Sequence, residues 1–258
     1  MGDNVSSHRE RKGALLFKLA GLILFVSLWQ LAAEFTHSLV IASPFDTFRA
    51  MGKLMNREFL IDNFSLTLIR MISGVTIGFA AGFVFGLAGG LNSKIRDLLE
   101  PFRWMLMSVP AIVFLVVMML VLGMGTGMII VFTSIMLCPY VYVNTVRGID
   151  MISDDLKEMV FIYRFSRMKR IRHLYLPGIW GPLFSSLVII TGNGIRIVVL
   201  AEILGASDGL GAFISHARTN LEISELYACV VFCFGVVAFF EFALLRPVRN
   251  YCLRWKDE

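Results

Sequence analysis

The chain has 258 residues, of which 57% are hydrophobic and only 17% charged, with a mean hydropathy of +0.74. A soluble domain carries about a quarter charged residues, so there are too few polar groups here to coat a water-soluble globule, and lipid must cover much of the apolar surface. The net charge of +5 points to a membrane surface and not to nucleic acid, because the basic residues fall between apolar runs.

Six apolar runs approach or exceed the ~20 residues that cross the hydrocarbon core as a helix. They cover residues 14–33, 66–91, 102–122, 126–146, 183–205 and 226–246. Backbone groups in lipid must satisfy their own hydrogen bonds, which only helices or closed barrels achieve. The predicted fold class is therefore an all-α polytopic membrane protein with about six transmembrane helices, forming one transmembrane domain over 1–258. The first run is too long for the apolar core of a cleaved signal and has no small-residue cleavage pattern after it, so it is expected to stay as an anchor.

Orientation follows from the positive-inside rule. With the N-terminus inside, sixteen basic residues of the connecting segments fall on the inner side, and four (Arg49, Lys53, Arg57 and Arg218) fall outside. Both termini are expected to be cytoplasmic. Residues 34–64 then lie outside; Pro44 and the amphipathic stretch Phe45 to Met55 predict a short interfacial helix.

The second run carries Gly74, Gly78, Gly82, Gly86 and Gly90 at a spacing of four. Steps of four keep them on one slowly rotating face, where a neighbouring helix can approach closely. They predict a helix-packing seam and a buried second helix. Cys138, Cys229, Cys233 and Cys252 lack metal-ligand spacing and read as small apolar packing residues. Gly123 to Gly127 lacks the Lys-Ser/Thr of a phosphate loop, and no such loop occurs elsewhere. It reads as a turn at a membrane exit.

Ionisable residues within apolar runs are costly and therefore candidates for function. Arg70 sits near the outer end of the second run and is expected to snorkel outward. Arg196 is mid-run, three residues after Asn193 and on the same helix face. Two readings stay open for Arg196: a pore residue that favours an anion, or one half of a structural ion pair. Glu202 lies six residues on, about 120° around the axis, so it does not suit Arg196 as a partner. A gate-stabilising or interhelical role is expected for it. Glu241, near Arg246, reads as structural.

The segment between the fourth and fifth runs, about 147–181, is long and basic. Within it Met159, Val160, Ile162 and Tyr163 give an apolar stripe among cationic residues, a surface suited to docking a cytosolic partner. Glu158, Arg164, Ser166 and Leu176-Pro177 resemble, in spacing, the Glu-Ala-Ala loop of binding-protein-dependent ABC permeases. Asn144 and Gly148 stand upstream where that family often has Asn and Gly. Met159 and Val160 replace its two alanines, and Arg164 replaces its glycine. The loss of that glycine predicts a more continuously helical loop.

Three further stretches resemble the nitrate/sulfonate/taurine-like group of these permeases. They are Ser43-Pro44, Leu99 to Ala111 with Leu122 to Gly125, and Ala201 to Ala206 with Gly209-Leu210-Gly211. Ile195 stands where many members have Trp. The resemblance implies a permease of the bacterial inner membrane, working as a homodimer. Two cytosolic ATPase subunits, which carry the ATP and Mg, would dock on Glu158, Met159, Val160, Arg164, Ser166, Leu176 and Pro177. An extracytoplasmic binding protein would deliver substrate. No cofactor is expected on this chain. Asn193, Arg196 and Glu202 would border the translocation pathway. The implied substrate is a small anionic or polar solute such as a sulfonate, nitrate or bicarbonate; a thiamine-precursor pyrimidine is the alternative.

Rival classes fit less well. An intramembrane enzyme needs a catalytic cluster at membrane depth, whereas His8, His37, His173 and His216 all lie away from mid-run positions. A secondary transporter often shows two similar halves, and the sequence shows no internal repeat.

Overall fold

The structure, a computed structural model, describes residues 3–36, 40–56 and 59–240. Every regular element among the described residues is helical. The chain divides into two compact units. One comprises the described residues up to Asn56 with His216–Phe232; the other comprises those from Phe59 to Ser215 with those from Cys233 onward.

In the first unit, α1 spans Asp3–Phe35 and α2 spans Pro44–Leu54. Residues 17–35 of α1 are long and apolar enough to cross a membrane. The Trp29 indole Nε1 donates to the Ala42 carbonyl at 3.0 Å, and its ring stacks on Tyr227 at 5.9 Å. The amphipathic stretch expected around residues 45–55 is α2. Its start is written locally: the Ser43 hydroxyl accepts from the Asp46 amide at 3.1 Å, and Pro44, which has no N–H to lose, opens the first turn.

The second unit holds α3 (Ser65–Leu91), α4 (Ser93–Ser108), α5 (Ala111–Leu122), α6 (Thr126–Asp150), α7 (Asp154–Ile162) and α8 (Leu176–Gly205). Two further helices, α9 (Leu210–Thr219) and α10 (Ile223–Phe239), begin in one unit and end in the other.

The glycines of α3 lie against α6. A Cβ on Gly74 would meet Thr133 at 2.7 Å, one on Gly78 the Ser134 carbonyl at 2.9 Å, and one on Gly82 the Cys138 carbonyl at 2.5 Å. Gly86 faces Thr145 at 2.6 Å, and Gly90 faces Ile149. Residue numbers rise together on both sides, so α3 and α6 run parallel. The chain must therefore cross back between them.

That return is α4 and α5, which meet at a bend of 105°. The span expected over 102–122 falls on this pair, with the bend inside it. Pro110 has no N–H and keeps Val109 out of the helical region, at φ −82° and ψ 135°. α4 closes with the Val109 amide on the Met105 carbonyl, and α5 restarts with the Val113 amide on the Pro110 carbonyl.

α8 runs antiparallel to both seam helices. A Cβ on Gly194 would meet Val75 at 2.9 Å, while Gly148 of α6 faces Ile179 and Pro182 near the start of α8. The buried core between them includes Met71, Leu115, Ile129, Phe132 and Val198. Among the described residues, helices spanning 17–35, 61–91, 126–150 and 168–205 are long and apolar enough to cross a membrane, and the bent pair, counted as one span, makes a fifth. The sixth expected run is described only as α10; Glu241, Arg246, Cys252 and the C-terminus lie outside the described residues.

The seam predicts a graded response. Gly82→Ala forces its methyl into a backbone carbonyl and is expected to cost about 1–3 kcal/mol, as overpacking does. Gly127→Ala, with open space around it, serves as the neutral comparison. Thermal unfolding in detergent measures both; equal melting temperatures would refute the seam.

Candidate functional site

Two constellations lie at opposite ends of α3, α6 and α8. The first is the basic segment after α6. The Met159–Tyr163 stripe splits when it folds. Val160 turns inward, 3% exposed, into a small core with Ile152 and Leu174, against which Phe165 and Tyr175 pack. Ile162 and Tyr163 point out, 67% and 71% exposed; Glu158 and Met159 are exposed as well.

The segment is not continuously helical, which corrects the expectation drawn from Arg164. Arg164 itself adopts the left-handed conformation, with φ 50°, and α7 stops there. The Phe165 amide donates to the Val160 carbonyl at 3.2 Å, and the Phe165 ring packs on the Val160 core. This is a Schellman ending, whose left-handed position favours glycine. A side chain in that conformation costs about 1–2 kcal/mol.

Ser166 then starts the next helical turn, Arg167–Arg170, its hydroxyl accepting from the Lys169 amide at 3.4 Å. A π-helical turn at Ile171–Tyr175 runs into α8. Pro177 follows in the first turn of α8, with exposed Leu176 before it. Beside this segment, the Arg96 guanidinium binds both Asp150 oxygens, at 2.8 and 2.9 Å, and ties α4 to the end of α6.

The second constellation is buried. Arg70 is 1% exposed, so it does not snorkel outward as expected. Its Nη1 donates to Glu202 Oε1 at 2.8 Å and to the Asp208 carbonyl at 2.9 Å. Its Nη2 donates to Asp208 Oδ1 and, at 2.7 Å, to Thr126 Oγ1, and Nε reaches the same hydroxyl at 3.2 Å. All five N–H groups are used.

Glu202, 0% exposed, also accepts from the Thr67 hydroxyl at 2.8 and 2.9 Å and from the Gly211 amide at 3.0 Å. Thr67 in turn accepts from the Leu210 amide at 2.9 Å. A Cβ on Gly209, which has φ 98°, would lie 2.5 Å from Glu202 Oε1, and one on Gly211 would strike the Val199 carbonyl. The Glu-(six residues)-Gly-Leu-Gly pattern is thus a carboxylate with the chain folded back over it. Glu202 occupies the interior, linking α8 to α3 and to its own outgoing loop. Of the gate-stabilising and interhelical roles expected for it, its bonds to Thr67 and Arg70 on α3 are interhelical.

With this geometry, the chain matches the family model described as "Binding-protein-dependent transport system inner membrane component" over residues 74–247. The chain belongs to this family. Permeases similar to it include Bacillus subtilis SsuC, named for aliphatic sulfonates transport, at 22% identity over 98% of this chain and 94% of that one. The bicarbonate transport system permease protein CmpB of Synechococcus elongatus is also 22% identical, over 95% and 92%. A chain of the MetNI methionine ABC transporter, solved facing inward, shares the fold: TM-score 0.61 at 18% identity, covering 73% of this chain and 94% of that one.

In this inner-membrane permease, Asn193 and Arg196 lie on a different face of α8 from Glu202. Arg196 is exposed; Asn193 is half-buried, its Nδ2 donating to the Ile189 carbonyl at 3.0 Å. Sequence reasoning missed Arg70, Asp208, Thr67 and Thr126 as one network. A signal existed for Arg70: one step of four back from Gly74 lands on it.

Two outcomes are expected. Arg70→Met leaves the Glu202 carboxylate buried without its cation and should cost about 3–5 kcal/mol, with much of this restored in Arg70→Met/Glu202→Leu; a thermal double-mutant cycle measures it, and additive effects would refute the pairing. Arg164→Gly removes the left-handed strain and should slow amide exchange of Val160–Phe165 about fivefold, a gain of about 1 kcal/mol. Faster exchange in that variant would contradict the cap assignment.

Proposed function

We propose that this chain is the membrane-spanning subunit of an ATP-driven importer. In this reading it works as a homodimer, takes solute from an extracytoplasmic binding protein, and is driven by two cytosolic ATPase subunits that hold the ATP and Mg. The observation that carries the reading is the exposed apolar face of α7, fixed to the bundle from beneath by Val160. Met159, Ile162 and Tyr163 offer a partner apolar surface within a basic segment, while Ile152, Val160 and Leu174 prevent the helix from moving alone.

A load on α7 has a rigid route upward. Ile152 touches Gly178 at the start of α8, and Gly148 of α6 touches Ile179. From α6 the glycine seam continues along α3 to the Arg70 cluster. ATP-driven closure of the partner subunits would thereby bias the whole bundle between two states. Both termini are assigned to the cytoplasm, which puts α7 on that side and the Arg70 cluster on the other. The two relatives are named for the transport of aliphatic sulfonates and of bicarbonate, which supports a small anionic solute.

The test alters only exposed residues. Ile162→Asp with Met159→Asp is expected to leave the chain in the membrane and to reduce both uptake and binding-protein-stimulated ATP hydrolysis at least tenfold. Normal hydrolysis and uptake in this variant would sink the coupling assignment, as would normal function after deletion of 158–166.

A further inference from the structure

The network around Arg70 shows what this fold does with an arginine that belongs to its interior: every donor is matched. Arg103, on α4, is likewise held by Glu100. Arg196 is treated differently. It lies on α8 six residues, ~9 Å, before Glu202 and twenty residues, ~30 Å, after Leu176. It is exposed, and among the described residues no carboxylate or other acceptor is bonded to it.

Such a side chain cannot rest against lipid, where an arginine at depth costs at least about 2.5–3.5 kcal/mol. Nor can it turn to Glu202, which faces the interior 120° around the helix with its oxygens already occupied. Asn193, three residues earlier, adds polarity to the same face. Its one bond to the Ile189 carbonyl engages a single N–H and leaves Oδ1 and the other N–H for a ligand.

We propose that Arg196 and Asn193 form an anion-contacting station on the solute route, where the guanidinium meets a small oxyanion of the carboxylate, sulfonate or bicarbonate kind. The proposal rests on the importer reading and deepens it, since it assigns the charge preference to residues of this chain as well as to the binding protein. A planar guanidinium suits an oxyanion because two N–H groups can meet two oxygens in parallel. The contact is solvated, unlike that of Arg70, so it holds the anion loosely enough to release it.

The test reads the field of Arg196 at its neighbour. Cys138, Cys229, Cys233 and Cys252 are replaced by alanine in the full-length chain, and Asn193→Cys is introduced. The thiol is treated in membrane vesicles of both orientations with two methanethiosulfonates, anionic sulfonatoethyl and cationic trimethylammonioethyl. Side chains three apart on a helix lie about 5–6 Å from each other. At that separation in water a unit charge favours the anionic reagent and disfavours the cationic one enough to make their rate ratio about tenfold larger.

That ratio is expected to fall about tenfold on Arg196→Gln and to survive Arg196→Lys, which keeps the charge. An unchanged ratio in Arg196→Gln would overturn the proposal. So would a thiol unreactive to both reagents, which would mean that this face is sealed by lipid or by a second copy. The readout involves no ATP hydrolysis, so it can fail while Ile162→Asp still uncouples transport. It can also succeed where the coupling assignment fails.

Discussion

The close approach of α3 to α6 is the constraint from which most of the architecture follows. With no side chain at positions 74, 78, 82, 86 and 90, the backbone of α3 lies directly on α6, at Gly82 against a carbonyl. Helices in lipid gain little from burying apolar surface, because the tails are as apolar as the side chains; close van der Waals contact between backbones is what remains. The seam also fixes direction. Two parallel neighbours require a return crossing, and the return is bent because Pro110 cannot continue a helix.

Parallel packing also brings the N-terminal ends of α3 and α6 to the same side, where the antiparallel α8 ends. This is why Arg70, Thr126 and Glu202, far apart in sequence, meet. The Arg70–Glu202 pair is buried on both sides, and a buried pair is weak evidence of net stability, since desolvation offsets much of the attraction. Its value is geometric. The guanidinium has five donors in a fixed plane, and together they reach four acceptors on α6, α8 and the 208 loop, so only one arrangement of those ends satisfies it.

The sequence displayed the seam because a repeat of four glycines' spacing has one geometric meaning. It displayed the helical class because hydropathy and backbone hydrogen bonding leave few choices. Arg70 departs from its expected place for a definable reason: nearness to the end of the run suggests an outward reach, but its position on the glycine face decides. A residue four before Gly74 shares the buried face, and a buried cation needs an anion. Arg164 shows the converse. A non-glycine residue by itself favours continued helix, but the Phe165–Val160 contact and the 165-to-160 hydrogen bond hold the Schellman ending with Arg164 in the left-handed position. Tertiary contact outweighed a local preference of about 1–2 kcal/mol. The partners Asp208 and Thr126 were not legible, since no periodicity links a loop aspartate to a helix start more than eighty residues away.

α8 combines these themes in one helix. Its interior face carries Gly194, Ile195, Val198, Ala201 and Glu202, all buried, and ends in the saturated network. Its other face carries the half-buried Asn193 and the exposed, unmatched Arg196. The same residue type, arginine, is structural where four acceptors take its five N–H groups and available where none of the described residues is bonded to it. A transport helix needs both conditions at once. In the proposed cycle the locked face would let the helix move with its neighbours when α7 is pushed, and the unlocked face would hold a charge that no described residue neutralises. Under that proposal, rigidity on one side would let an unpaired cation on the other keep its position through the cycle.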